Sequence, residues 1–165
     1  MKKSKALTRS QIIKRLDALT SMYVRYGGAW LVDGVFVNRC VSCGKVYPVT
    51  AIDAGHFIAR ECIQLRFDFS NVHCECKNCN AWDEHHMIGY RDFIIRAHGG
   101  DVLTRLMDIK QKRGTGELKA VKMQELRELY NERLGPARAV QDLVQPIVQW
   151  KSPPIKPSWK IEERP

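Results

Sequence analysis

Six cysteines are the residues of this 165-residue sequence whose type and spacing are best suited to chemistry. Four of them form two Cys-x2-Cys pairs, Cys40 with Cys43 and Cys76 with Cys79. Two residues between the thiols let both sulfurs of a tight turn reach one Zn²⁺, and two such turns complete a closed tetrahedral site. Gly44 follows the first pair, where such a turn often needs a positive φ. The spacing predicts one structural zinc ion, whose binding energy contributes to folding.

Cys62 and Cys74 are left over from these pairs. A shifted ligand set that uses Cys74 stays open, because this residue lies two positions before Cys76; two ordinary buried thiols are the simpler expectation. The basic start of the chain is followed by no apolar region, so we expect no secretion signal and no membrane contact. In the cytoplasm, cysteines serve more often as ligands or free thiols than in disulfides.

Between and after the cysteine pairs lie a histidine and two asparagines that fit phosphodiester hydrolysis. His56 falls on a predicted strand, Asn71 in the following loop, and Asn80 directly after the last cysteine of the pairs. Hydrolysis needs a neutral imidazole to take a proton from water, and a divalent cation to stabilise the leaving oxygen. We predict that His56 is the general base, that Asn80 binds a catalytic Mg²⁺ or Mn²⁺, and that Asn71 ties the loop and orients His56.

This order of cysteine pair, histidine, asparagine, cysteine pair and asparagine resembles HNH nucleases, in which a structural zinc lies beneath a ββα-metal site. Many HNH enzymes have a metal-binding Asp directly before the base, but here that position is Gly55. The second ligand of the catalytic cation is therefore left open. Asp53 shares a strand face with Gly55 by alternation. His73 is the next candidate, equally compatible with a packed strand histidine, and Asp83 or Glu84 are less favoured.

Several short motifs together resemble the NinG/Rap family of lambdoid phages. These motifs are Asp53-Ala-Gly-His56, Gln64-Leu-Arg-Phe67, Asn71-Val-His73, Cys76-x2-Cys79-Asn80 and Gly89-Tyr90-Arg91. With a weaker likeness in the helix 117–134, the resemblance covers about two thirds of the chain. The resemblance implies a phage-encoded endonuclease that acts in the cytoplasm of the bacterial host. It also implies that the substrates are branched recombination intermediates, including Holliday junctions and D-loops, and that the cofactor is Mg²⁺ or Mn²⁺.

The distribution of charge agrees with a nucleic-acid partner. The net charge is +9, and residues 1–30 carry seven Lys or Arg against one Asp, whereas residues 39–98 carry seven against seven acidic residues. Basic flanks around a neutral core suit phosphate binding, although charge alone fits a merely soluble protein as well. Four basic residues around the proposed site could bind phosphates, although a surface role fits each of them equally well: Arg60, Arg66, Lys77 and Arg91.

Periodicity predicts the elements that must position these residues. Apolar residues at helical spacing predict helices over 8–26, 81–98, 101–111 and 117–134, the last ending at Gly135-Pro136. Asp33-Gly34 between apolar runs predicts a hairpin. The predicted fold class is α+β, with a zinc-stabilised, treble-clef-like ββα-metal (HNH) core and flanking helices. The predicted organisation has a basic helix and hairpin at 1–38, the nuclease core at 39–98, C-terminal helices at 99–135 and a proline-rich tail at 136–165.

Two alternative functions remain open at this stage. One is a zinc-dependent DNA-binding recombination accessory without catalysis, against which the His56 and Asn80 pair argues. The other is an HNH nuclease that cuts linear duplex, against which the absence of an obvious specificity domain argues. We also expect a homodimer, because symmetric incision of a four-way junction needs two active sites. The apolar faces of helices 8–26 and 117–134 could pack on the core or form the dimer seam.

Overall fold

The computed structural model describes residues 6–81 and 85–148, with side-chain environments up to residue 135. It confirms the predicted α+β class. Within the described residues, no helix is both long and apolar enough to cross a membrane. The elements, in chain order, are α1 Arg9–Gly27, β1 Trp30–Val32, β2 Val35–Arg39, β3 Val46–Pro48, β4 Ile52–His56, β5 Val72–Cys76, α2 Lys77–Ala81, α3 His86–His98, α4 Gly100–Thr115 and α5 Met123–Val148.

Helix α1 begins with a complete capping box. The Thr8 side chain accepts a hydrogen bond from the Gln11 backbone N–H, and the Gln11 side chain accepts one from the Thr8 backbone N–H. Two otherwise unpaired N–H groups are thereby satisfied, which fixes where the helix starts. Its buried residues, Ile12 and Leu16, pack against Leu126 of α5. The apolar faces of these two helices therefore cover each other within one chain.

The predicted hairpin is present and leads into a three-stranded antiparallel sheet. Asp33 and Gly34 have φ angles of 47° and 78°, as the two central residues of a type I′ turn require. Strand β1 pairs with β2, with Val32 opposite Val35, and β3 pairs along the other side of β2. The short loop between β2 and β3 contains the first cysteine pair.

A second, two-stranded sheet joins the cysteine pairs to the predicted catalytic residues. Strand β4 runs antiparallel to β5, with Ile52 opposite Cys76 and His56 opposite Val72. Helix α2 follows β5 directly, so the second cysteine pair spans the end of a strand and the start of a helix. The segment between β4 and β5, residues 57–71, is the loop that returns the chain; we call it the 57–71 loop.

Two apolar clusters hold the helices to this unit. The larger one lies between the 57–71 loop and helices α3 and α4, and its buried members are Phe57, Ile58, Cys62, Leu65, Tyr90, Ile94 and Leu106. The other lies between α1, α5 and the same loop, and includes Phe67. Helices from both ends of the sequence therefore pack on the 57–71 loop.

Three predicted helices have different bounds in the structure. The helix predicted over 81–98 is two helices, because α2 ends at Ala81 and α3 begins at His86. Helix α4 extends to Thr115, and the helix predicted over 117–134 begins at Met123 and continues to Val148. Gly135 and Pro136 oppose a helix interior by about 1 and about 3 kcal/mol, yet α5 continues through both. Residues 149–165 of the predicted tail lie outside the described part of the chain.

Candidate functional site

The four predicted cysteines meet at one point, which we call the four-cysteine centre: Cys40, Cys43, Cys76 and Cys79. Their sulfur atoms all lie within 4.8 Å of one another. The first turn is closed by a 2.9 Å hydrogen bond from the Gly44 N–H to the Cys40 carbonyl, and Gly44 has the positive φ of 73° expected from the sequence. The spacing prediction is therefore confirmed in its geometry.

The donor set of the four-cysteine centre fits a zinc ion. Four sulfurs at about 2.3 Å from Zn²⁺ in a tetrahedron are about 3.8 Å apart, within the observed spread. Burial would raise the pKa of Cys76, but hydrogen bonds from the Cys79 backbone and the Tyr47 side chain outweigh it and lower that pKa. Cys40 and Cys79 shift in the other direction, because burial raises their pKa values. The fit to zinc therefore rests on the number and spacing of the sulfurs.

The two remaining cysteines, Cys62 and Cys74, lie outside the four-cysteine centre. The structure therefore does not support the shifted ligand set that would use Cys74. The Cys74 sulfur donates to the Val24 carbonyl at 3.2 Å, and burial raises the pKa of Cys74 to about 12. Cys62 is fully buried in the larger apolar cluster. Both are packed thiols.

Next to the four-cysteine centre, a cleft of about 650 Å³ brings together residues from distant parts of the chain. Helix α1 forms one wall, and strand β4, the 57–71 loop and helix α2 form the rest. Three of the predicted catalytic or ligand residues line it: Asp53, His56 and Asn80. Its other polar and charged lining residues are Asp17, Thr20, Ser21, Arg60, Glu61 and Arg66.

His56 is held in one orientation by the loop. Its Nε2 lies 2.9 Å from the Arg66 carbonyl oxygen. Because a carbonyl only accepts, Nε2 carries the proton and Nδ1 keeps its lone pair. Burial lowers the pKa of His56 below its ordinary value of 6.5, and the positive charge of Arg60 acts in the same direction, against the hydrogen bond to Arg66. The imidazole is therefore neutral at pH 7, as a general base must be.

Asn71 fixes the loop that carries this carbonyl. Its fully buried side chain accepts from the Ile58 N–H at 2.7 Å and donates to the Ile58 and Leu65 carbonyls at 3.0 Å. Leu65 directly precedes Arg66, whose carbonyl binds His56. The contacts agree with the positioning role that the sequence predicted for Asn71, through the backbone and without direct contact to the imidazole.

Asp53 and Asn80 lie side by side in the cleft. The Asn80 side-chain N–H group donates to the Asp53 carboxylate at 3.4 Å. The pair therefore offers one carboxylate and one amide oxygen, the ligand types that Mg²⁺ prefers. Asp83 and Glu84, the less favoured candidates for the second ligand, lie outside the described residues.

The basic residues predicted to bind DNA divide into two sets. Arg60 and Arg66 line the cleft, but Arg66 is held in a two-pronged ion pair with Asp17 of α1, with both N–O distances at 2.8 Å. Lys77 and Arg91 are exposed and lie outside the cleft lining, and Arg91 pairs with its neighbour Asp92 at 2.9 Å. Asp17 could have been noticed in the sequence as the single acidic residue of the first thirty.

His73 does not join the cleft. It lies opposite Gly55 on the β4–β5 pair, where its ring contacts Tyr90, Phe93 and His98. The structure therefore favours the packed strand histidine over a ligand of the catalytic cation, because strand alternation puts the His73 ring on the face opposite His56, where helix α3 covers it.

A buried carboxylate that the sequence did not single out explains why position 55 is glycine. Glu75 is completely buried, and a Cβ added at Gly55 would lie 2.1 Å from its Oε2. Its Oε1 accepts from the Ser42 hydroxyl at 2.5 Å and lies 2.8 Å from the His86 Nδ1. Glu75 thus joins the first cysteine turn to helix α3 and occupies the space of the missing side chain.

Sequence comparison decides the family. A family model described as Bacteriophage Lambda NinG protein matches residues 1–139. The chain belongs to the NinG family. Relatives named "Protein ninG" come from Salmonella phage P22, 33% identical over 100 residues, and from Escherichia phage lambda, 32% identical over 100 residues.

Both alignments with NinG relatives cover 57% of this chain, and they cover 49% of the P22 protein and 48% of the lambda protein. The chain thus matches about half the length of these relatives. No solved structure gives a significant match. A function for this NinG-family chain therefore has to be argued from the geometry of its own cleft and four-cysteine centre.

Proposed function

We propose that this NinG-family protein is a metal-dependent DNA endonuclease that cleaves branched recombination intermediates such as Holliday junctions and D-loops. The observation that carries the proposal is the composition of the cleft, where the neutral imidazole of His56 lies with Asp53 and Asn80. A base with a free lone pair beside an oxygen-donor pair is the combination that phosphodiester hydrolysis requires.

In the proposed reaction, Nδ1 of His56 takes a proton from a water molecule. The oxygen of that water attacks the scissile phosphorus, and the bond from phosphorus to the leaving sugar oxygen breaks. Asp53 and Asn80 would hold Mg²⁺ or Mn²⁺, which stabilises the charge on the leaving oxygen. Asn71 and the Arg66 carbonyl keep His56 in the tautomer that leaves Nδ1 free.

The order of elements supports an HNH-type, treble-clef-like core. Strands β4 and β5 and helix α2 follow one another as a ββα unit, with the base at the end of β4 and Asn80 in α2. The first cysteine turn is tied to β5 by a 2.9 Å hydrogen bond from the Val41 N–H to the Cys74 carbonyl. In this proposal the zinc at the four-cysteine centre is structural and takes no part in hydrolysis.

Charge supports DNA as the substrate. The protein has a net charge of +9, and Arg60 contributes positive charge to the cleft wall. The ion pair of Arg66 with Asp17 would have to exchange for a phosphate before Arg66 could bind DNA. We further propose that a homodimer acts on the two sides of a junction, in the cytoplasm of the bacterial host, because paired incisions need two sites.

The proposal is tested by offering the purified protein a mobile four-way junction beside a linear duplex of matched sequence, with Mg²⁺ and with EDTA. We expect Mg²⁺-dependent incision of the junction, with binding that weakens steeply as salt is raised. Equal cleavage of the linear duplex would show that the protein is a general nuclease without specificity for branched DNA. Tight junction binding without incision under any divalent cation would instead identify a DNA-binding accessory protein.

A further inference from the structure

On the face of the β4–β5 pair opposite His56, two histidine side chains meet through their ring nitrogens. The Nε2 atoms of His73 and His98 are 2.8 Å apart. His73 belongs to β5, and His98 is the last residue of α3. We call these two residues the histidine pair. The His73 ring is packed edge-on against Phe93 with ring centroids 4.8 Å apart, so its direction is fixed.

The hydrogen bonds of Tyr90 determine which nitrogen of His73 carries its proton. The Tyr90 hydroxyl has one proton, which it shares between the carbonyl oxygens of Gly55 at 2.9 Å and Asn71 at 3.1 Å. Toward His73 the hydroxyl oxygen can only accept, and it receives the backbone N–H at 2.9 Å and faces Nδ1 at 3.3 Å. His73 therefore carries its proton on Nδ1, and its Nε2 lone pair points at His98.

We propose that the histidine pair is a second metal site, which binds a divalent transition cation such as Zn²⁺ or Ni²⁺ through both Nε2 atoms. Imidazole nitrogens suit these cations. A histidine ligand almost always donates its other ring N–H to a fixed acceptor, and the Tyr90 oxygen already has that role for His73. Water completes the coordination, because His98 is exposed.

The rearrangement that binding requires falls on His98, because the direction of the His73 ring is fixed. Two nitrogens bound to one tetrahedral Zn²⁺ at about 2.0–2.1 Å are about 3.3 Å apart, so the two Nε2 atoms must separate by about 0.5 Å. The rings now lie almost end to end, with centroids 5.0 Å apart, so the His98 ring must also turn until both lone pairs meet at the cation. His98 can make this movement because it is the last residue of α3 and its side chain is exposed. Its Nε2 proton is exchanged through solvent for one on Nδ1, which leaves both Nε2 lone pairs facing the cation.

The protonation of His73 also favours a ligand role. Burial, followed by the neighbouring His98, lowers the pKa of His73 to about 4. His73 therefore stays unprotonated throughout the neutral range, and no proton has to be displaced from its Nε2 when a cation binds. Through Tyr90, an occupied site would also fix the Gly55 carbonyl, next to His56.

The test adds Zn²⁺ by calorimetry to protein in which the four-cysteine centre is already loaded with one equivalent. We expect a second, weaker equivalent. We expect His98→Ala to weaken its binding by at least about ten-fold, because losing a ligand should cost no less than losing a residue that only orients a ligand. His98 is exposed, so this variant keeps the fold. His85→Ala, which removes another exposed histidine, should bind the second equivalent like the unaltered protein.

Asp53→Asn distinguishes the histidine pair from the cleft, and it too should retain the second equivalent. Nuclear magnetic resonance of the histidine rings supplies an independent readout, because Zn²⁺ should shift the signals of His73 and His98 together. The proposal is overturned if no saturable second equivalent binds up to about 1 mM, a free energy of about 4 kcal/mol. It is equally overturned if His98→Ala binds as tightly as the unaltered protein, or if Asp53→Asn is the variant that loses binding.

Discussion

The four-cysteine centre and the cleft lie side by side, yet they are assembled in different ways. Each cysteine pair is a local turn, and the two turns meet where β2 ends and β5 passes into α2. The cleft instead draws Asp17, His56 and Asn80 from three separate elements. Short sequence spacings therefore position the cysteines of the centre. The residues of the cleft are positioned by the packing of helix α1 and the 57–71 loop.

The dependence between the two regions runs in one direction. Helix α2 contains both Cys79 of the centre and Asn80 of the cleft, and β4 is held by its pairing with β5. Loss of the centre should therefore dismantle the cleft. Changes to cleft residues such as His56 should leave the four sulfurs in place.

The largest effect is expected from breaking the four-cysteine centre. Cys76→Ser removes a zinc ligand at the junction of β5 and α2, and because metal binding supplies folding energy the region from 39 to 80 should lose its structure. The measurement is zinc content by native mass spectrometry together with circular dichroism. Cys62→Ala, a buried cysteine outside the centre, should keep one zinc ion and the fold, at a cost of about 1 kcal/mol. A folded, metal-free chain would contradict the role of the centre.

A smaller but still large effect is expected at the loop that supports the cleft. Asn71→Ala leaves the N–H of Ile58 and the carbonyls of Ile58 and Leu65 without their partner, which should cost about 2–4 kcal/mol in the free energy of unfolding. The cleavage rate of the folded fraction should also fall, because the Arg66 carbonyl no longer holds His56. Urea unfolding and cleavage under saturating DNA measure the two effects.

Asn38 offers the matched control for this change. It is also a buried asparagine whose side chain binds backbone groups, those of Arg25 and Arg39, away from the cleft. Asn38→Ala should lower stability and leave the cleavage rate of the folded protein unchanged. If both variants reduce that rate equally, Asn71 has no special role in positioning His56.

The smallest effect is expected where helix α1 meets the cleft. Asp17→Asn weakens the ion pair with Arg66, and because both side chains are partly exposed the cost in stability should be about 1 kcal/mol or less. Freed from Asp17, Arg66 should bind phosphate more readily, so DNA affinity should rise at low salt. Fluorescence anisotropy with a labelled junction measures it. Unchanged affinity would show that Arg66 does not contact DNA.

The same contrast explains how much the sequence could predict. The two cysteine turns, the Asp33-Gly34 hairpin and helix α1 follow from local spacing and turn chemistry, and all three are present. The packed position of His73 could not be predicted. Alternation gives the face of the strand on which His73 lies, but not that helix α3 covers that face.

Long-range partners within the site were hidden for the same reason. Neither the ion pair between Asp17 and Arg66 nor the insertion of Glu75 over Gly55 has a local sequence signature. The sequence shows Gly55 where many HNH enzymes have an Asp. The reason is the Glu75 side chain, which belongs to the neighbouring strand. A glycine in a strand interior signals a close approach, and the structure supplies the group that approaches.

The central claim, that the cleft is a catalytic centre built around His56, is tested most directly by one paired measurement on His56→Ala. Junction cleavage in Mg²⁺ under saturating DNA should fall by about 10²–10⁴-fold, the usual contribution of a general base. Junction affinity and zinc content, measured on the same preparation, should stay at the level of the unaltered protein. A His56→Ala protein that binds and cleaves the junction at the unaltered rate would contradict the account.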